Sequence, residues 1–184
     1  MSIKNIDKEY RKIVENNLGD FQIEVLTEKY QNQVMTLGFR TLTEEVDEIN
    51  RESELKHLAD VFKTNIYEKY INDTNKLWVL TNENKVYGYI SVRIVKDGAC
   101  LTGFYIVPIL RGLKFAEKLL NQTYEFARSK GCTKIIAETA YYSCRSIGFY
   151  NKYFQLDKVY YENTLKILVY TKELQFLKIK NCGR

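Results

Sequence analysis

A change of hydrophobic period within the chain constrains its fold more than any other feature. Over residues 76–108 the apolar side chains recur at every second position, which is typical of strands with one buried face. Over residues 115–131 they recur every three or four positions, which indicates an amphipathic helix. Strands followed at once by a helix predict an α/β protein in which helices pack on a sheet.

The strand-like segments are short and are separated by polar turns. Residues 76–81 and 86–94 flank the turn Asn82-Glu83-Asn84 and predict a hairpin, and residues 99–108 predict a third neighbouring strand. The other predicted strands are 21–27, with Phe21, Ile23 and Val25 on its buried face, 133–139, and a closing hairpin formed by 159–162 and 164–171 around Glu162-Asn163.

Helical periodicity accounts for most of the rest. It predicts a helix over 28–54 with a break at Gly38, a second over 53–71 with Ser53 as its N-cap, and a short helix over 145–153. No repeat or linker divides the chain, so one domain is expected over 21–175. A helix or strap over 1–20 precedes it, and a tail over 176–184 follows it.

Composition excludes several classes of protein. A net charge of +5 over 184 residues is too diffuse to indicate nucleic-acid binding, and no segment is apolar enough to cross a membrane. We therefore expect a cytoplasmic protein. The four cysteines, Cys100, Cys132, Cys144 and Cys182, stand singly, and His57 is the only histidine, so we expect reduced thiols and no metal site.

The turn between the third strand and the following helix has the chemistry of a phosphate site. A helix N-terminus presents unpaired N–H groups and the positive end of the helix dipole, which favour an anion. Pro108 fixes the exit from the strand, Arg111 adds a fork of donors, Gly112 allows close backbone approach, and Lys114 adds a cation. The same residues also fit an ordinary helix start with a solvated arginine.

Two segments resemble motifs of the GCN5-related N-acetyltransferase (GNAT) family. The family's turn reads Gln/Arg-x-x-Gly-x-Gly/Ala and wraps the pyrophosphate of acetyl-CoA. Here Arg111 and Ala116 match it, and Lys114 stands at a glycine position. Residues 143–155 resemble the later family segment Asn-x-x-Ala-x-x-x-Tyr-x-x-x-Gly-Phe. Tyr150 falls on the tyrosine, Ser146 on the alanine and Ser143 on the asparagine. Phe154 and Gln155 depart from the closing Gly-Phe.

The resemblance implies a single-domain GNAT-like α/β fold with a mixed, mostly antiparallel sheet flanked by helices. It implies acetyl-CoA as co-substrate, and Tyr150 as the acid that protonates the leaving thiolate. The N–H groups of Ile106 and Val107 would hold the acetyl carbonyl and the pantetheine amides, because the strand splays from its neighbour there. The complete set of expected cofactor-binding residues is Ile106, Val107, Arg111, Gly112, Leu113, Lys114, Phe115, Ala116, Ser143, Ser146 and Tyr150.

The general base and the acceptor are less constrained. The third strand contains no carboxylate, so Glu138 on the next strand, acting through water, is the first candidate base, and Glu24 is another. If neither serves, the amine arrives neutral. The acidic cluster at 44–48 favours a cationic amine, although it also fits a solvated helix face.

The sequence thus predicts an N-acetyltransferase that acts by direct attack in a ternary complex on a small-molecule primary amine. A peptide or protein N-acetyltransferase, or a degenerate GNAT-fold binding module, remains open. The expected partners are acetyl-CoA and the amine, with no nucleic acid and no membrane, in a monomer or homodimer.

Overall fold

The computed structural model describes residues 18–45, 66–162 and 164–175. The strap predicted over 1–20 is described only from residue 18, and the tail predicted over 176–184 is not described. His57, Cys182 and most of the helix predicted over 53–71 also lie outside the described residues.

Seven strands and four α-helices make up the described part of the chain. The strands are β1 (Gln22–Val25), β2 (Asn75–Asn82), β3 (Lys85–Val95), β4 (Gly98–Ile106), β5 (Lys134–Ala140), β6 (Gln155–Glu162) and β7 (Leu165–Glu173). The helices are α1 (Gln31–Glu45), α2 (Ile66–Tyr70), α3 (Phe115–Ser129) and α4 (Cys144–Tyr153). Short 3-10 turns span Leu18–Asp20, Glu28–Tyr30 and Pro108–Leu110.

The strands form one sheet in the order β1-β2-β3-β4-β5-β7-β6. All neighbours run antiparallel except β4 and β5, which are parallel. The predicted mixed, mostly antiparallel sheet with flanking helices is therefore confirmed. The hairpin between β2 and β3 is also confirmed. Its turn residues Glu83 and Asn84 have φ values of +47° and +64°, as a type I′ turn requires.

Strands β4 and β5 pair only briefly. The register joins Ala99–Leu101 to Ile135–Ala137, and β4 then continues to Ile106 without β5 as a partner. The two strands therefore diverge at the carboxyl end of β4, and their divergence opens the sheet beside the start of α3.

The end of β4 differs from the prediction. A strand was expected to run to Pro108, but β4 ends at Ile106 and the chain enters the 3-10 turn Pro108–Leu110. Proline has no N–H to give to a strand partner, so it suits the start of a turn better than a sheet ladder. The turn is closed by the N–H of Arg111, which donates to the Pro108 carbonyl oxygen at 3.1 Å.

The break predicted at Gly38 is wrong. Helix α1 runs through Gly38, which is buried, without interruption. Glycine costs a helix about 1 kcal/mol relative to alanine. Val34 and Leu37, on the same helix, are buried against the sheet, and this packing outweighs the poor helix propensity of one residue.

The buried face predicted for the first strand is only partly correct. Val25 is 38% exposed, whereas Leu26, expected on the opposite face, is 1% exposed. The strand ends at Val25, and the N–H of Leu26 donates to the Leu77 carbonyl oxygen at 2.9 Å. The chain leaves the edge of the sheet there, which carries Leu26 into the core.

The sheet has an apolar core on each face, and β2 contributes to both. Trp78 and Leu80 pack in the core with α3, and we call that side the α3 face. Leu77 and Val79 pack in the core with Val34 of α1, and we call that side the α1 face. Within the described ranges, no helix is long and apolar enough to span a membrane, and no cluster of three metal-ligating side chains occurs.

Gly88 lies opposite Ile106, in the part of β4 that has no partner in β5. A Cβ at Gly88 would lie 2.7 Å from the Tyr105 carbonyl oxygen and 3.1 Å from Ile106 Cγ1. We predict that Gly88→Ala lowers the free energy of unfolding by about 1–3 kcal/mol, because backbone must move to accept the methyl group. Chemical denaturation measures the change. Gly19→Ala is the matched control, since nothing lies within 4 Å of its Cβ; equal stability losses in both variants would contradict the prediction.

Candidate active site

A cavity of about 400 Å³ lies where β4, the start of α3 and α4 meet. Its wall is partly aromatic and partly cationic. The lining residues are Phe104, Tyr105, Ile106, Leu110, Arg111, Gly112, Lys114, Ala116, Glu117, Arg145, Ser146, Phe149, Lys152 and Tyr153.

The turn before α3 brings backbone N–H groups to this cavity. Gly112 has φ +83°, and Lys114, the N-cap of α3, has φ +64° and ψ +7°. These two left-handed residues reverse the chain so that α3 begins at Phe115 beside the end of β4. The Lys114 side chain makes no capping hydrogen bond, and an ammonium group has no acceptor to offer the first-turn N–H groups. The helix N-terminus therefore favours an anion.

The charged side chains of the wall reinforce this preference. Arg111, Lys114, Arg145 and Lys152 are cations, and Glu117 is the one carboxylate in the lining set. Low-dielectric walls that carry one sign of charge concentrate counter-ions of the other sign. The cavity is thus electrostatically suited to a ligand with several negative charges.

Glu117 and Lys152 are joined across the cavity wall through Tyr153. The Tyr153 hydroxyl donates to Glu117 Oε1 at 2.7 Å, and Lys152 Nζ donates to the same hydroxyl at 2.8 Å. These hydrogen bonds lower the pKa of the Glu117 carboxyl and raise the pKa of the Lys152 ammonium. Both groups are therefore charged at neutral pH, and the link connects α3 to α4.

Arg111 has a structural contact as well as a place in the wall. Its Nε–H donates to the Ile106 carbonyl oxygen at 2.8 Å, and its guanidinium lies 5.4 Å from the ring centre of Tyr105. The side chain therefore ties the turn back to the end of β4. Arg111 is also one of the residues that line the cavity.

The two N–H groups that we expect to face a cofactor, those of Ile106 and Val107, point in opposite directions at the end of β4. The Val107 N–H donates to the Tyr87 carbonyl oxygen at 2.9 Å, so the ladder with β3 uses the donor that we expected to face a cofactor. Bonded and non-bonded pairs alternate along an antiparallel ladder. The neighbouring pair of Gly88 and Ile106 is then non-bonded, and the Ile106 N–H points away from β3, towards the divergence from β5.

The eleven predicted cofactor residues divide into two groups. Six of them, Ile106, Arg111, Gly112, Lys114, Ala116 and Ser146, line the cavity, and five, Val107, Leu113, Phe115, Ser143 and Tyr150, are not among its lining residues. Phe115 is 2% exposed and belongs to the core on the α3 face. The Ser143 hydroxyl donates to Ser146 Oγ at 2.8 Å, so Ser143 contacts a lining residue.

Tyr150, a residue of α4, is buried in the core on the α3 face. It is 8% exposed, and its ring packs 5.5 Å from the ring centres of both Phe154 and Tyr170. Its neighbours Phe149 and Tyr153 face the cavity instead. The sequence analysis did not predict that Arg145, Phe149 and Tyr153 line the cavity, although they recur at the helical spacing of four.

The two candidate bases have different surroundings. Glu138 follows Ala137, which lies in the core on the α3 face, so its side chain points to the α1 face. It is exposed, and the Tyr160 hydroxyl lies 3.4 Å from its Oε2. Glu24 Oε1 accepts hydrogen bonds from Tyr30 at 3.0 Å and Thr81 at 2.8 Å. Glu24 lies three strands, or about 14 Å, from β4, which makes it the poorer candidate.

Neither Cys100 nor Cys132 shows a sign of a reactive thiol. Burial raises the pKa of both the Cys100 and the Cys132 thiols, and all three described cysteines are free.

Residues 39–154 match the sequence profile of the acetyltransferase (GNAT) family, which covers more than half of the chain. No curated protein matches the chain in sequence.

Solved structures share the fold. An acetyltransferase of the GNAT family from Staphylococcus aureus Mu50 has a TM-score of 0.65 at 17% identity, over 84% of this chain and 99% of that one. An acetyltransferase from Streptococcus agalactiae gives 0.64 at 22% identity, over 84% and 99%. The PaiA N-acetyltransferase of Thermoplasma acidophilum, solved in complex with coenzyme A, gives 0.60 at 16% identity, over 81% and 97%. These likenesses confirm the predicted fold.

Lys114 occupies a backbone conformation that suits glycine. The left-handed region costs an L-residue about 1–2 kcal/mol, which a glycine would avoid. Glycine also raises the conformational entropy of the unfolded chain, which offsets part of that stabilisation. We predict that Lys114→Gly raises the free energy of unfolding by up to about 1 kcal/mol, measured by chemical denaturation.

The matched control is Lys118→Gly, one turn further along α3. Its glycine enters a helix interior and should lower stability by about 1 kcal/mol. If both variants lose stability equally, contacts of the Lys114 side chain outweigh its backbone strain.

Proposed function

The chain belongs to the acetyltransferase (GNAT) family, and on that premise we propose that it is an acetyl-CoA-dependent N-acetyltransferase. The acceptor is an amine, which attacks the acetyl group directly in a ternary complex. The observation that carries the proposal is the cationic cavity at the N-terminus of α3, beside the divergence of β4 and β5.

The residues present fit acetyl-CoA. CoA carries phosphate groups, and the cavity offers four cations and a helix N-terminus without a side-chain cap. The Ile106 N–H, directed away from β3, is available to a carbonyl group that enters between the strands. Arg111 and Lys114 would hold the pyrophosphate, with the backbone of Gly112 and Leu113 and the first turn of α3 at Phe115 and Ala116. Ser146 and, through it, Ser143 would contact the pantetheine arm.

The catalytic groups are proposed to come from α4 and β5. Bound acetyl-CoA would supply the thioester whose acetyl group passes to the amine. Tyr150 is not among the lining residues, but its ring lies 5.5 Å from that of Phe149, which is. Tyr150 would give its phenolic proton to the departing thiolate, because a phenol is mostly protonated at neutral pH. Glu138 would take the proton of the amine through a water molecule, and Tyr160 beside it would hold the carboxylate in place.

The acceptor is proposed to bind on the α1 face. Glu138 points to that face, and the divergence of β4 and β5 connects it with the cavity on the other side of the sheet. A carboxylate near the reacting nitrogen suits a cationic amine, so a small-molecule primary amine is the preferred acceptor. A peptide or protein N-terminus is the alternative.

A non-catalytic binding module is the second candidate function. Two observations favour it: Lys114 stands where the family turn has glycine, and β4 (Gly98–Ile106) contains no carboxylate. We also propose a cytoplasmic location, because cysteines that stand singly are typical of a reducing compartment.

Two measurements test the proposed function. Calorimetry with acetyl-CoA should detect binding, and CoA release in the presence of a panel of amines and a panel of peptides should identify the acceptor class. Binding without turnover on any acceptor would favour the binding module. Absence of binding at millimolar acetyl-CoA would contradict the proposed enzymatic function. The cationic cavity would then bind a different anion.

Arg111 is the first side chain to test in the phosphate site. We predict that Arg111→Ala weakens acetyl-CoA binding by about 1–3 kcal/mol, because a charge-assisted hydrogen bond is lost. Calorimetry measures the dissociation constant. The control Lys118→Ala removes a cation from α3 outside the lining set and should leave binding nearly unchanged. An unchanged constant in Arg111→Ala would place the phosphates elsewhere.

Tyr150 is tested by removing only its hydroxyl. We predict that Tyr150→Phe lowers kcat by about 10²–10⁴-fold, the usual contribution of a general acid, while the dissociation constant of acetyl-CoA changes little. The ring packing is retained, so the melting temperature should stay close to that of the wild type.

The matched variant is Tyr153→Phe, which removes a phenol that lines the cavity. It should weaken the link to Glu117 and Lys152 but keep most of the catalytic rate. A large loss of kcat in Tyr153→Phe together with normal turnover in Tyr150→Phe would assign the acid to Tyr153.

A further inference from the structure

Strand β6 (Gln155–Glu162) is an edge of the sheet with an unusual surface. In the described residues its strand partner is β7, and no strand covers its other side. Exposed edge strands tend to pair with another chain unless they are short, charged throughout or interrupted. β6 is eight residues long, contains no proline or glycine, and is regular from Lys158 to Glu162, after a bulge at Asp157.

Large apolar side chains line this edge. Leu156, Val159 and Tyr161 are 51%, 43% and 69% exposed. Their partners in β7 are Tyr170, Leu168 and Lys166, and the first two of these pack in the core on the α3 face. Partners in an antiparallel pair share a face, so the three exposed side chains form one row on the α3 face. We call this row the β6 apolar row.

We infer that β6 pairs antiparallel with β6 of a second copy of this chain, about a two-fold axis at Tyr160. Tyr160 is the centre of the regular stretch Lys158–Glu162. In this register Val159 faces Tyr161 of the other copy twice, on the α3 face. Lys158 faces Glu162 of the other copy twice, on the α1 face. The pairing therefore joins apolar to apolar and cation to anion in both halves.

Neighbouring registers of the same stretch lack this complementarity. Cross-strand partners share a face, so the nearest alternative registers move the axis by one whole residue. A shift towards the N-terminus, to Val159, sets Lys158 against Tyr160 and loses both Lys158–Glu162 pairs. A shift towards the C-terminus, to Tyr161, sets Tyr160 against Glu162 and likewise loses both Lys158–Glu162 pairs. The charges of β6 thus select a second copy in one register, in preference to an arbitrary extended peptide.

The pairing sets the α1 faces of the two copies side by side on one continuous sheet. Tyr160 lies on the axis, and its hydroxyl is 3.4 Å from Glu138 Oε2. The Glu138 carboxylates of the two copies would then lie on the same side of one continuous sheet. The proposal depends on β6 alone and stands whether or not the chain transfers acetyl groups.

A charge-reversal series on the full chain tests the pairing. Sedimentation velocity over a range of concentrations should show a monomer–dimer equilibrium for the wild type. Lys158→Glu and Glu162→Lys should each weaken dimerisation about tenfold or more, because each sets like charges opposite one another at two places. The double variant Lys158→Glu/Glu162→Lys should restore dimerisation, since it exchanges the two charges. Lys85→Glu, on the β2–β3 hairpin at the other side of the sheet, is the matched control and should leave the equilibrium unchanged.

Hydrogen exchange at β6 distinguishes other occupants of the edge. Amide protection at Val159 and Tyr161 should increase with protein concentration if a second copy covers them. A monomer at every concentration with protected amides would show that another segment of the chain covers the edge. A monomer with freely exchanging amides would leave the edge to a different partner. Either result, or a dimer insensitive to both single reversals, would overturn the proposal.

Discussion

The brief parallel pairing of β4 with β5 is the constraint on which the rest of the structure depends. Parallel neighbours need a crossover connection, and here α3 makes it, so the N-terminus of α3 must lie at the carboxyl end of β4. The strands then diverge at that same end. An opening between strands and the positive end of a helix dipole are thereby brought together by topology, before any particular side chain is considered. The cavity lies at this junction.

The turn that follows β4 adds cations to this junction at some cost in backbone strain. Lys114 adopts a left-handed conformation that glycine would adopt more readily, and in return it adds a cation to the wall. Arg111 lines the cavity and ties the turn to the end of β4 through the Ile106 carbonyl oxygen. Glu117, held by Tyr153 to Lys152, is the one opposing charge in the wall, and it couples the two helices that enclose the cavity.

The interior of the sheet was the most predictable part of the fold, because there the local pattern and the tertiary environment agree. β2 and β3 lie within a residue of their predicted bounds, although each has a core on both faces and not the single buried face that a period of two indicates. The errors fell where local preference and tertiary packing compete. Gly38 is held in a helix by the burial of its neighbours, and Val25 is exposed because β1 ends at the edge of the sheet.

By itself the sequence determined the order of strands and helices, the cationic character of the Arg111–Ala116 turn and the family resemblance, because each depends on residues close together in the chain. Only the tertiary structure decided which residues meet across the cavity. It turned Phe149 and Tyr153 towards the opening and Tyr150 towards Tyr170. It also inserted β7 between β5 and β6, which left β6 at the edge and set Tyr160 near Glu138. A periodic pattern specifies that a side chain is buried, but the partner that buries it depends on strand order and helix docking, which are set by packing between segments distant in sequence.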